Sequence, residues 1–149
     1  MTRIDFAFGA NDRLRAACQV VRKRYLAGQR LLVYCSDGGR LSAFDRLLWA
    51  FDDVSFVPHV SVTDSLAAST PVVLTAGAPE PPVAPDDPDA GPWLMNLDDE
   101  CPPGYDAFTR VLEIVSGDPA DRQAARQRWR AYLAAGHTPH GHDLTGRLA

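Results

Sequence analysis

The chain has 149 residues and a formal net charge of −4, which suits one domain with a sizeable core and argues against a general nucleic-acid binder, usually basic overall. Three widely spaced cysteines, Cys18, Cys35 and Cys101, lack any Cys-x-x-Cys or Cys/His metal spacing, so neither a disulfide framework nor a zinc site is supported. No apolar run approaches about 18 residues and no signal peptide is evident, so the expectation is a soluble, cytoplasmic chain that does not meet the membrane.

Residues 3–8 alternate polar and apolar, with Ile4, Phe6 and Phe8 on one face, which predicts a strand. Leu14, Cys18, Val21, Tyr25 and Leu26 recur at helical spacing, predicting a helix over 12–27 that Asn11 or Asp12 could cap and Gly28 ends. Residues 31–35 form a continuous apolar run, as in a strand buried on both faces of a parallel sheet. A turn at Ser36-Asp37-Gly38-Gly39 leads into a helix over about 40–50. Residues 54–57 read as a short strand stopped by Pro58, and 71–75 and 93–97 as further strands. The segment 77–92 holds six of the chain's twelve prolines and is expected to be a surface loop. A short helical turn at 105–108 and a strand over 110–115 follow. Asp118 as N-cap and Pro119 at the first helical position then open a last helix that Gly136 closes. The alternation of strands and helices predicts an α/β layer fold with a mostly parallel sheet. It forms a single domain over 1–136, followed by a polar tail over 137–149 that is expected to fray.

Two stretches could carry chemistry. Cys35-Ser36-Asp37-Gly38-Gly39-Arg40 has the outline of a cysteine-phosphatase loop, in which backbone N–H groups and a helix N-terminus hold an anion and activate a thiol. Four residues separate Cys35 from Arg40 where that family has five, and Asp37 would repel phosphate. Dinucleotide and P-loop fingerprints are absent. His140-Gly141-His142 is expected to be solvated, and no metal or cofactor is expected. In the last helix Arg122, Arg126 and Arg130 stand at i, i+4 and i+8, one above the other. Trp129 and Tyr132 lie within the same turns, and Arg128 adds charge on a flanking side. No acid follows Asp121 until Asp143. Such a ladder suits an acidic peptide or its terminal carboxylate. Direct contact with a single-stranded DNA backbone is the second choice. The stretch 47–59 carries Trp49 and Phe56 around an acidic turn, either as a core corner or as a protein-docking patch.

Trp49 with Ser55-Phe56-Val57-Pro58-His59, and Arg126-Gln127-Arg128-Trp129-Arg130-Ala131-Tyr132 followed by Ala135-Gly136, resemble the chi-subunit family of bacterial DNA polymerase III holoenzyme. The resemblance implies a three-layer α/β fold of nucleotide-binding-like topology without a phosphate loop. It also implies a non-enzymatic accessory role without cofactors. Such proteins pair with the psi subunit, which tethers them to the clamp loader, and bind the acidic C-terminal tail of single-stranded-DNA-binding protein, so their association with single-stranded DNA is indirect. By the same resemblance Phe56, with Trp49 and Pro58 beside it, faces psi. Val115, Arg122, Arg126, Trp129 and Arg130 receive the acidic tail, with Trp129 standing where the family more usually has Tyr.

Overall fold

A computed structural model describes residues 2–50, 56–81 and 91–144. Seven strands form one sheet: β1 (Arg3–Ala10), β2 (Leu31–Tyr34), β3 (His59–Ser61), β4 (Val72–Thr75), β5 (Trp93–Asn96), β6 (Arg110–Ser116) and β7 (His140–Asp143). Their order is β3-β4-β2-β5-β6-β1-β7, and every neighbouring pair is parallel. Three helices accompany them: α1 (Arg13–Leu26), α2 (Gly38–Ala50) and α3 (Pro119–Ala134).

Parallel neighbours need long crossovers; α1 lies in the one from β1 to β2, α2 in that from β2 to β3 and α3 in that from β6 to β7. On one face α1 and α2 bury Ala17, Cys18, Val21, Phe44 and Leu48 against Leu31, Val33, Met95 and Ile114. On the other, α3 buries Ala125 and Tyr132 against Ile4, Phe6, Leu94, Val111 and Val115. The pleat divides each strand between these layers. Leu31 and Val33 of β2 face α1 and α2, and Leu32 and Tyr34 the opposite layer, which is why β2 reads as unbroken apolar sequence. Each such side chain contributes roughly 1.5–3 kcal/mol by leaving water. The result is the three-layer, parallel α/β fold expected from the element order.

The helix ends follow local chemistry. Asp12 accepts from Arg15 N at 3.2 Å and caps α1. Both α1 and α3 close on a glycine with positive φ, Gly28 at 85° and Gly136 at 92°. At Gly28 the bonds run Gly28 N to Tyr25 O (2.9 Å) and Gln29 N to Arg24 O (2.9 Å); at Gly136 they run Gly136 N to Leu133 O (3.0 Å) and His137 N to Tyr132 O (3.0 Å). That paired geometry needs a left-handed residue, which a glycine adopts without a Cβ clash. Asp118 precedes α3 but its side chain makes no capping bond. Asp121, one turn in, accepts from Ser116 N (2.7 Å) and Ser116 Oγ (2.8 Å) instead.

Two expectations shift. The strand placed over 54–57 lies elsewhere: residues 54 and 55 fall outside the described residues, Phe56 and Val57 are not in the sheet, and the strand starts beyond Pro58, at His59. Pro58 has no N–H for a ladder, whereas His59 pairs with Val72 and Ser61 with Leu74. Of the proline-rich segment, residues 77–81 and 91–92 lie outside the sheet and 82–90 are outside the described residues. Within the polar segment after Gly136, expected to fray, residues 140–143 pair with β1, while 145–149 are outside the described residues. The backbone of β1 would otherwise end the sheet with open N–H and C=O groups, and β7 satisfies them although all four of its residues are exposed. No helix among the described residues is long and apolar enough to cross a membrane.

Candidate functional site

The cleft along α3 begins with an ion pair beneath the helix. Glu113 of β6 and Arg128 of α3 are both buried. Arg128 Nε donates to Glu113 Oε1 at 3.0 Å and Arg128 Nη1 to Asp99 O at 3.1 Å. Tyr132 Oη donates to Glu113 Oε2 at 2.7 Å, and Asn96 Nδ2 donates to the same oxygen at 2.9 Å. Burial, and then the Glu113 charge, push the Tyr132 phenol well above its ordinary range. Arg128 is therefore no surface charge flanking the ladder, contrary to the sequence reading; it locks the helix. A buried charge pair tolerates one geometry, because a slipped helix would leave both charges unpaired in low dielectric.

That lock sets the rotation of α3. With Ala125, Arg128 and Tyr132 facing inward, Arg122, Arg126 and Arg130 lie exposed along a cleft of about 460 Å³ whose apolar lining includes Phe6, Phe8, Val115 and Trp129. Val115, Arg122, Arg126, Trp129 and Arg130, all five residues expected at one site, border this one cavity. Among the described residues none of the three arginines is paired with a carboxylate. Phe6 packs against Trp129 with ring centroids 5.0 Å apart. The chemistry is an apolar floor rimmed by cations, suited to an anion carrying an apolar group. The sequence reading missed Phe6, Phe8 and Ala125 as lining. The alternation in β1 put both phenylalanines on one face, but nothing local says which helix covers that face.

The second expected region lies at the opposite edge of the sheet. Trp49, at the end of α2, is 52% exposed and Phe56 61%; their rings lie 5.0 Å apart. Pro58 is half-buried. His59 is buried beneath, 4.3 Å from the Trp49 ring. Its Nδ1 meets Val57 O at 2.7 Å, and Nε2 is 2.8 Å from Asp45 Oδ1, though off the line of a hydrogen bond. Trp49 and Phe56 thus form an exposed aromatic pair rather than a core corner. The acidic turn between them falls within residues 51–55, outside the described residues.

The phosphatase outline does not assemble. Cys35 is fully buried, with Sγ 3.5 Å from Leu97 O, and burial raises its pKa, the opposite of an activated thiol. The place an anion would take at the start of α2 is filled by Asp37, which accepts from Gly39 N (2.9 Å) and Arg40 N (3.2 Å). Arg40 is spent on Leu97 O (2.9 Å) and Asp99 Oδ1 (3.0 Å).

The crevice where such folds take nucleotides is occupied in a similar way. β1 and β6 are neighbours whose helices leave to opposite faces, a topological switch point. The space there, about 370 Å³, is bordered by Asp12, Asp99, Asp118 and Asp121 with Arg13 and Arg40. Arg13 donates to Ile114 O (2.9 Å) and Asp98 O (2.8 Å), and burial lowers its pKa. Four carboxylates around a crevice disfavour a phosphate there.

Fold and site together define an all-parallel, doubly wound α/β protein that keeps the nucleotide-binding layout without its phosphate loop and presents an arginine-rimmed cleft on its last helix. Comparison with known proteins gives this class a family. Residues 1–140 match the model of the family described as DNA polymerase III chi subunit, HolC. The chain is 35% identical over 148 residues to the DNA polymerase III subunit chi of Pseudomonas aeruginosa, covering 97% of this chain and 98% of that one. It is 31% identical over 119 residues to the corresponding subunit of Escherichia coli, covering 80% and 77%. The chain belongs to the DNA polymerase III chi subunit family.

Proposed function

We propose that the chain is a non-catalytic adaptor of the replicative polymerase. Its Trp49–Phe56–Pro58 surface meets the psi subunit and so the clamp loader. Its α3 cleft takes the acidic C-terminal tail of single-stranded-DNA-binding protein, which links it to single-stranded DNA only indirectly. The observation that carries this reading is the convergence on one cleft of an apolar floor and three arginines with no carboxylate partner among the described residues, at the far side of the sheet from the exposed aromatic pair. The tail's carboxylates would lie along Arg122, Arg126 and Arg130 and its terminal apolar side chain against Val115 and Trp129. The two surfaces are far enough apart in the strand order, β3 at one edge and β1 beside β7 at the other, for both partners to bind at once.

Calorimetry with a synthetic peptide of that tail tests the cleft. Arg126→Ala should weaken binding by about 1.5–3 kcal/mol, the range for a hydrogen bond to a charged group, and added salt should weaken the remaining electrostatic share. Undiminished binding by Arg126→Ala, or binding indifferent to salt, would remove the tail from this site. Direct DNA binding through the same arginines predicts instead a gel shift with DNA alone.

A further inference from the structure

The cleft has a wall that α3 does not supply. β7 runs beside β1 with Gly141 opposite Phe6, so a side chain at 141 would rise on the face that Phe6 and Phe8 share. A Cβ built on Gly141 would stand 3.2 Å from Phe8 Cε1, 3.9 Å from Phe8 Cδ1 and 4.0 Å from Trp129 Cη2. Phe8 and Trp129 both line the cleft. The bare backbone of Gly141 is thus the surface on which these two rings rest, an aromatic cover over an edge-strand glycine. β7 is held in place by Leu144 N donating to Phe8 O at 2.7 Å and by His142 Nε2, 2.8 Å from Asp5 Oδ1.

We propose that Gly141 determines the specificity of the cleft: its missing side chain lets Phe8 and Trp129 lie back, and so sets the size of the terminal apolar group the cleft admits. The inference rests on the cleft being a receptor for an acidic peptide terminus. Gly141 has no positive φ, so alanine or valine can occupy its backbone conformation. What must yield is the Phe8 ring, which is 42% exposed and free to swing. A Cβ at 3.2 Å is closer than ordinary contact and displaces the ring by a few tenths of an ångström; a branched side chain displaces it further, into the space of the occupant. The arginine rim lies on α3 and is untouched.

The test uses the full chain and three synthetic peptides with the same acidic residues and a free α-carboxylate, ending in Phe, Leu or Ala. Calorimetry compares the wild type with Gly141→Ala and Gly141→Val, and thermal unfolding is recorded for each. The wild type should prefer the Phe-ended peptide. Gly141→Val should lose about tenfold on that peptide, the discrimination typical of a small volume change in an apolar pocket, while holding the Ala-ended peptide and its salt dependence unchanged. Gly141→Ala should fall between. Equal losses on all three peptides, as a detached β7 would give, or no loss on any, would overturn the role of Gly141. If the wild type binds none of the three, the peptide reading of the cleft fails and takes this inference with it. Salt-sensitive binding that Gly141→Val leaves unaltered would spare the cleft and remove Gly141 alone.

Discussion

The α3 cleft and the Trp49–Phe56 surface are both aromatic, but they are held by different physics. The cleft is concave and its main wall is pinned by the buried Glu113–Arg128–Tyr132 network. The Trp49–Phe56 surface is two exposed rings in contact with each other, of which Trp49, near the end of α2, rests on the buried His59 of β3. A pinned concave site can select a short flexible segment by shape and charge, since the receptor loses little entropy on binding. An exposed aromatic pair suits a folded partner that brings its own pocket. The difference shows that an exposed Trp or Phe says little alone; what decides its use is the network behind it.

The comparison breaks most readily at the pin. Arg128→Met leaves the Glu113 carboxylate buried and unpaired, and should cost about 3–5 kcal/mol of stability, read from denaturant unfolding. Adding Glu113→Gln should restore part of it, because no uncompensated charge then remains; a double variant no more stable than the single would mean the pair does not hold α3. A smaller effect belongs to acid. Burial alone would raise the Asp5 pKa, but hydrogen bonds from His142, Arg3 and Arg110 hold it below its ordinary value. Its stabilising share is therefore present at neutral pH and is lost as pH falls through the depressed folded-state value, under 3.8. Hydrogen exchange should show β7 amides losing protection there, and Asp5→Asn should abolish that acid step. The least change in stability is expected for Phe56→Ala, within about 0.5 kcal/mol as for an exposed side chain, with loss of copurifying psi subunit. Unfolding of that variant would make Phe56 a packing residue and equate the two regions after all.

Much of the fold was legible because local chemistry agreed with it. Alternation in β1, the unbroken run of β2, Gly28, and the Pro119 to Gly136 frame all act within a few residues, where pleat, capping and proline sterics operate. The same holds for the ladder of Arg122, Arg126 and Arg130, which depends only on helical periodicity. Arg128 was misread for a corresponding reason: its partner Glu113 lies on another element, and no periodicity within α3 marks it as inward. β3 was displaced past Pro58 because pairing with β4, and not local propensity, decides where a short edge strand begins.

By itself the sequence determined the alternation of strands and helices, the parallel character of the sheet, the two aromatic and basic stretches, and the resemblance that joined them. Those are properties of spacing and side-chain type. Only the tertiary structure decided that Cys35 is sealed, that Asp37 fills the anion position, and that the polar segment His140–Asp143 is a strand. It alone brought Phe8, Trp129 and Gly141 together. For Cys35, for β7 and for the Phe8–Trp129–Gly141 cluster the deciding partner is a backbone edge or a side chain distant in sequence, and such contacts exist only once the sheet has closed; Asp37 differs, since its partners Gly39 N and Arg40 N are local.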